Sequence, residues 1–142
     1  MIDLGKELSK AFVIHQKSDQ NQDRTLKIDL RIPATLSYFS GHFPQKAILP
    51  AVAIIDISHF FAQHLVGAFI IHRIEKFRVK TPIGSSEDVL LEVTTKQTDK
   101  QANKQANKQA NKQAKTLELR VVWLTAKDLK PLSEISFSGF RH

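Results

Sequence analysis

The feature that most constrains this chain is one apolar run of helix length, from Ala51 to about Val66, opened by Pro50 and stopped by Gly67. Proline is favoured at the first helical position, where its missing N–H costs nothing. Glycine is a common helix stop. The run is apolar nearly all round, which predicts a buried helix. Something must cover it, and the rest of the chain offers strands. Ala11–Gln16 and Leu26–Ile32 precede it, the second with Leu26, Ile28, Leu30 and Ile32 at period two on one face. Lys17–Arg24 between them is polar and reads as a longish hairpin loop. After the helix come Ala68–Phe77, Val89–Thr95 beyond a turn at Pro82–Ser86, Thr116–Thr125, and Ile135–Phe140 beyond a turn at Lys130-Pro131. Trp123 alternates with Leu117, Leu119 and Val121, which places it in the core or in an interface. Two strands, one helix and about four strands make an α+β arrangement, one helix against a largely antiparallel sheet.

A length of 142 residues fits a single domain spanning 1–142. Inside it, the tetrapeptide Gln101-Ala102-Asn103-Lys104 recurs through Ala114. A period of four is far below the roughly 20 residues of a solenoid unit. As a strand the repeat has no apolar face, and as a helix it stacks lysines at i and i+4. It reads as a low-complexity hairpin loop over 97–115 that adds nothing to the core. It also explains the charge. The chain carries +7, and Lys96–Lys115 holds six lysines against Asp99, leaving +2 elsewhere. Charge confined to one such segment, without interleaved aromatics, does not make a nucleic-acid footprint. An acidic protein partner remains compatible with it.

There is no cysteine, which excludes disulfides, thiolate metal sites and a cysteine nucleophile. The apolar stretches Ala47–Ile57 and Phe60–Ile71 are interrupted by Pro50, Asp56, Gln63 and His64. Neither supplies the roughly 18 clean residues of a membrane span. Residues 1–7 show no basic segment leading into an apolar one, so no secretory signal is expected. The expectation is a soluble, cytoplasmic protein.

Chemistry concentrates in Tyr38-Phe39-Ser40-Gly41-His42-Phe43-Pro44 and the residues that follow. A histidine sits in a loop constrained by glycine and proline. A carboxylate, Asp56, lies about two turns into the apolar helix. Such a carboxylate needs a partner or must hold its proton, and burial favours the protonated form that a general acid uses. The helix start behind Pro50 presents free N–H groups to a polarised carbonyl. Asp56 and His59 are also spaced i, i+3 as a metal pair could be, but His64 falls on another face and no third ligand is evident, so no metal is expected.

This segment resembles the signature of the bacterial 3-hydroxyacyl-ACP dehydratases of hotdog fold, in which Gly-His-Phe-Pro is followed by Ile/Val, Leu/Met and Pro, then by Asp or Glu in the helix. Gly41-His42-Phe43-Pro44 and Ile48-Leu49-Pro50 match it, and Asp56 lies fourteen residues after His42, as the family spaces its pair. Lys76-Phe77-Arg78, Pro82-Ile83-Gly84 and Asp88-x-Leu90 resemble the family's later stretch. An aspartate in the helix brings the chain nearest to the dehydratases of aryl-polyene-type clusters. The resemblance implies a hotdog fold, an antiparallel sheet wrapped around one long helix. It implies dehydration of a (3R)-3-hydroxyacyl thioester on acyl carrier protein to the trans-2-enoyl thioester, without a cofactor. His42 would be the base, Asp56 the acid, and the Ala51 N–H the donor to the thioester carbonyl. Phe43, Pro50 and Ala51 would line the substrate. A homodimer or higher oligomer is implied, His42 coming from one chain and Asp56 from the other, with no nucleic acid or membrane as partner.

The chain departs from the pattern at Gln45, at Lys46-Ala47 and at Ala51, where the family has Gly, x-Pro and Gly. Phe60 stands where the family often has Gln. The two catalytic groups are intact, and the changes bear on substrate fit. Two alternatives stay open: a hotdog acyl thioesterase, and a non-catalytic acyl-binding or heterodimer-partner subunit.

Overall fold

The computed structural model describes residues 3–20, 23–39, 47–96 and 116–141. A one-turn helix α1 (Leu4–Glu7) precedes strands β1 (Phe12–Gln20) and β2 (Asp23–Arg31). A 3-10 turn (Ser37–Phe39) leads towards helix α2 (Ala51–Val66). Four strands follow: β3 (Phe69–Val79), β4 (Asp88–Lys96), β5 (Thr116–Thr125) and β6 (Pro131–Arg141). All six join one sheet in the order β1-β2-β4-β5-β6-β3, every neighbouring pair antiparallel. This is the α+β hotdog arrangement expected, one sheet around one long helix.

The alternation in β2 decides its face. Leu26, Ile28, Leu30 and Ile32 are all buried against α2, as are Val89, Leu91 and Val93 of β4. Trp123 of β5 is fully buried, and its Nε1 donates to Ser58 Oγ of α2 at 2.9 Å. An indole N–H in a dry core needs such an acceptor. Ser58→Ala should therefore cost about 1–3 kcal/mol. A fall in Tm of roughly 5 °C in thermal unfolding would register it. An unchanged Tm would show that the indole finds another acceptor.

Two expectations are corrected. The polar stretch Lys17–Arg24 is mostly strand. The β1–β2 ladder runs from Phe12↔Leu30 to Gln20↔Asp23, with an irregularity between Ile14 and Gln16. The pairing is made by backbone groups, and polar side chains do not interrupt it on a strand at the sheet's edge. The helix, second, is not buried all round. Ala53, Ile54, Ile57, Ser58, Phe61, Ala62, Leu65 and Val66 form the buried half. Val52 is 54% exposed, and Ile55, Asp56, His59 and Phe60 are half-buried. The apolar character extends onto the half that the sheet does not cover. Pro50 is the N-cap rather than the first helical residue, and Gly67 (φ 87°) ends the helix as expected.

Ladders β4–β5 run to Lys96↔Glu118, so the ends of these strands lie side by side. The repeat-bearing segment 97–115 that joins them, expected as a hairpin loop, lies outside the described residues. At the other end of β4, Arg31 forms a two-pronged ion pair with Asp88 at 2.8 and 3.0 Å, which holds the exposed Asp88 carboxyl below its ordinary range. Among the described residues no helix is long and apolar enough to cross a membrane.

Candidate active site

Asp56 sits six residues into α2, on the half the sheet leaves uncovered. Helical spacing puts Val52 one turn before it and His59 and Phe60 one turn after. Its Oδ2 accepts a hydrogen bond of 2.6 Å from the Tyr38 hydroxyl. No other described residue bonds this carboxyl. Burial, then the bond to Asp56, pushes the Tyr38 hydroxyl well above the ordinary tyrosine value, so it keeps its proton and donates.

Tyr38 belongs to the 3-10 turn, and this turn is held from a second side. The Ser37 N–H donates to Glu7 Oε1 at 2.8 Å, and the Ser37 hydroxyl donates to Glu7 Oε2 at 2.6 Å. Glu7 is the last residue of α1, whose start is capped by the Asp3 side chain accepting from the Lys6 N–H. Two carboxylates, one on each helix, thus grip consecutive residues of one turn. Phe39, next in sequence, is buried in the core.

Residues 40–46, which include His42 and Phe43, lie outside the described residues. The chain re-enters at Ala47, and that end is pinned as well. The Leu49 N–H donates to Ile83 O at 2.7 Å, the Ser85 N–H to Ala47 O at 3.1 Å, and Ile48 bridges Gly84. The Pro82–Ser86 turn is seated by the fully buried Ile83. Both ends of the histidine-bearing segment are therefore tied down, the first directly onto Asp56.

Beyond Leu49 the chain enters α2. Pro50, half-buried and extended (φ −73°, ψ 160°), turns it into the helix, and its carbonyl accepts from the Ala53 N–H at 2.9 Å. Ala51, the first helical residue, is exposed. In an α-helix the first N–H groups, that of Ala51 among them, have no intrahelical acceptor. His59 is engaged elsewhere, Nε2 lying 2.9 Å from Phe69 O. Phe60 packs edge-on against Phe12 of β1, their centroids 6.3 Å apart. The position that often carries Gln in the family thus makes an apolar contact with the sheet's edge.

Glu7, Ser37 and Tyr38 are the residues that sequence reasoning missed. The tyrosine stood in the quoted segment, four residues before His42, but nothing in its spacing pointed to Asp56. The contact joins two elements through tertiary packing.

The family model described as ApeI-like, ApeI dehydratase, matches residues 16–118, a span that includes His42, Asp56 and the 76–90 stretch. The chain belongs to the ApeI-like dehydratase family. Solved structures similar to this ApeI-like chain share its fold. An uncharacterized protein from Erwinia carotovora subsp. atroseptica has a TM-score of 0.64 and 21% identity, covering 88% of this chain and 90% of that one. The dehydratase heterocomplex ApeI:P from Xenorhabdus doucetiae gives a TM-score of 0.57 and 22% identity, with 91% and 97% covered. Zebra fish thioesterase superfamily member 2 gives 0.58 and 8%, with 96% and 85% covered. No curated protein matches the chain.

Proposed function

We propose that this ApeI-like protein dehydrates (3R)-3-hydroxyacyl thioesters carried on acyl carrier protein to trans-2-enoyl thioesters. The observation that carries the reading is the Asp56 carboxyl on the uncovered half of α2, held at Oδ2 by Tyr38, on a face that a second copy bringing its own His42 would cover. Membership of a dehydratase family supports it. His42 takes the C2 proton, and Asp56 gives a proton to the C3 hydroxyl, which leaves as water. The electron pair from the C2–H bond becomes the new double bond. One proton is taken and one given, so the pair resets by exchange with solvent and needs no cofactor. The Ala51 N–H steadies the thioester oxygen as negative charge gathers on it. Phe43 and Pro50 flank the acyl chain.

The protein acts as a dimer or larger homo-oligomer. Val52 and the neighbouring apolar residues on the uncovered half of α2, with Ile70 and Ile74 of edge strand β3, are surfaces that a second copy would cover. The thioesterase and the acyl-binding partner subunit are the competing readings. The first draws on the likeness to a thioesterase superfamily member, the second on the likeness to a dehydratase heterocomplex. Purified protein given a 3-hydroxyacyl-ACP separates the three: enoyl product, free acid, or neither. The expected result is enoyl-ACP, from a species that light scattering finds at least dimeric. Free acid alone, or no turnover at any chain length, would overturn the dehydratase reading.

A further inference from the structure

We infer that Tyr38 is a positioning residue for the dehydration, holding the Asp56 carboxyl in place and stabilising the negative charge it acquires when it gives up its proton. The inference rests on Asp56 being the general acid. Three observations carry it. The bond is short, 2.6 Å from the Tyr38 hydroxyl to Asp56 Oδ2, within the range of a well-formed O–H···O hydrogen bond. The tyrosine is itself fixed, because the Ser37 N–H and hydroxyl both bond Glu7 and Phe39 is buried. The second oxygen, Oδ1, receives no bond from any described residue, so the tyrosine takes one oxygen and leaves the other to work.

Among the described residues, the charged groups that bear on the Tyr38 hydroxyl are Asp56 on α2 and Glu7 on α1. Glu7 is occupied by Ser37, so the hydroxyl's proton goes to Asp56. As Asp56 passes its proton to the departing hydroxyl, its charge grows and the bond from Tyr38 strengthens. An interaction that strengthens in the transition state acts on kcat more than on KM. A hydrogen bond to a carboxyl bears unequally on its charged and neutral forms, so loss of the hydroxyl should be read in the pH dependence of kcat as well as in its size.

The test compares the wild type, Tyr38→Phe and Asp56→Asn on one 3-hydroxyacyl-ACP, each checked for fold by circular dichroism. Tyr38→Phe keeps the ring and removes only the hydroxyl. We expect kcat to fall roughly tenfold with KM within about twofold, as for a group that acts through the transition state. We also expect the kcat profile to move along the pH axis. Tyr38 is the chain's one tyrosine, so protein grown on 3-fluorotyrosine is altered at this site alone. Its hydroxyl is more acidic and donates more strongly, and its profile should move the opposite way to that of Tyr38→Phe. If Tyr38→Phe does not fold, the fluorinated protein decides the matter by itself. Unmoved profiles and an unchanged kcat, with Asp56→Asn inactive, would overturn the inference and leave the dehydratase reading standing. Wild-type turnover by Asp56→Asn would overturn both.

Discussion

Asp56→Asn, in a chain that keeps its fold, should lose about 10²–10⁴-fold in turnover of 3-hydroxyacyl-ACP, the usual contribution of a general acid. The amide keeps the size of the carboxyl, and its oxygen can still accept from Tyr38, but it has no acidic proton to give the departing hydroxyl. His42→Ala should cost a similar factor by removing the proton acceptor. The two groups serve one elimination, so the double variant should be little worse than the poorer single one. The wild-type profile should be bell-shaped, its limbs belonging to the pair jointly. Circular dichroism must accompany the rates, since Asp56 anchors the turn at Tyr38 as well. Well-folded Asp56→Asn turning over at the wild-type rate would refute the proposed mechanism.

Gly139→Val should be the most damaging single change to stability. Gly139 lies in β6 opposite Ile71 of β3, beside the irregularity between Ile71 and Arg73. A Cβ there would fall 2.2 Å from the Ile70 carbonyl oxygen, 3.0 Å from its carbon and 3.0 Å from Phe69 Cδ2. The first two are backbone atoms of the neighbouring strand and cannot rotate aside. Valine adds two methyl groups to an overlap that alanine would already create. The strain should part β3 from β6 and loosen Phe69, a fully buried anchor beside α2. The cost should be about 3 kcal/mol or more, at or above the upper end of over-packing. Thermal unfolding should show Tm lowered by roughly 10 °C. A Tm within a degree of the wild type would mean that the strands do not approach so closely in solution.

How far sequence alone carries depends on where each signal resides. Leu26, Ile28 and Leu30 of β2, and Ile32 just beyond it, all reach the core at period two, because a strand against a helix has one wet and one dry face. The helix ends follow Pro50 and Gly67 for local steric reasons. The stretch Lys17–Arg24 misleads because a backbone ladder can run on without apolar side chains to mark it. The uncovered half of α2 misleads for the opposite reason, since its residues are apolar without being enclosed by their own chain. At the candidate site, Asp56 is conspicuous as a carboxylate in an apolar helix. Its bond from Tyr38 and the grip of Glu7 on Ser37 span 18 and 30 residues, and no periodicity encodes contacts at such separations.

Trp123 has a further consequence. It is the chain's one tryptophan, so the protein's indole emission has a single origin. That origin is fully buried, at the seam where β5 meets Ser58 of α2. In so dry a setting the emission sits to the blue, and it moves to the red once water reaches the ring. The bond from the indole to Ser58 breaks when the helix leaves the sheet. Loss of the edge strands alone would leave the colour unchanged, while unseating the helix would shift it. The chain therefore carries an intrinsic optical reporter for one event, the departure of the Asp56-bearing helix from its cradle.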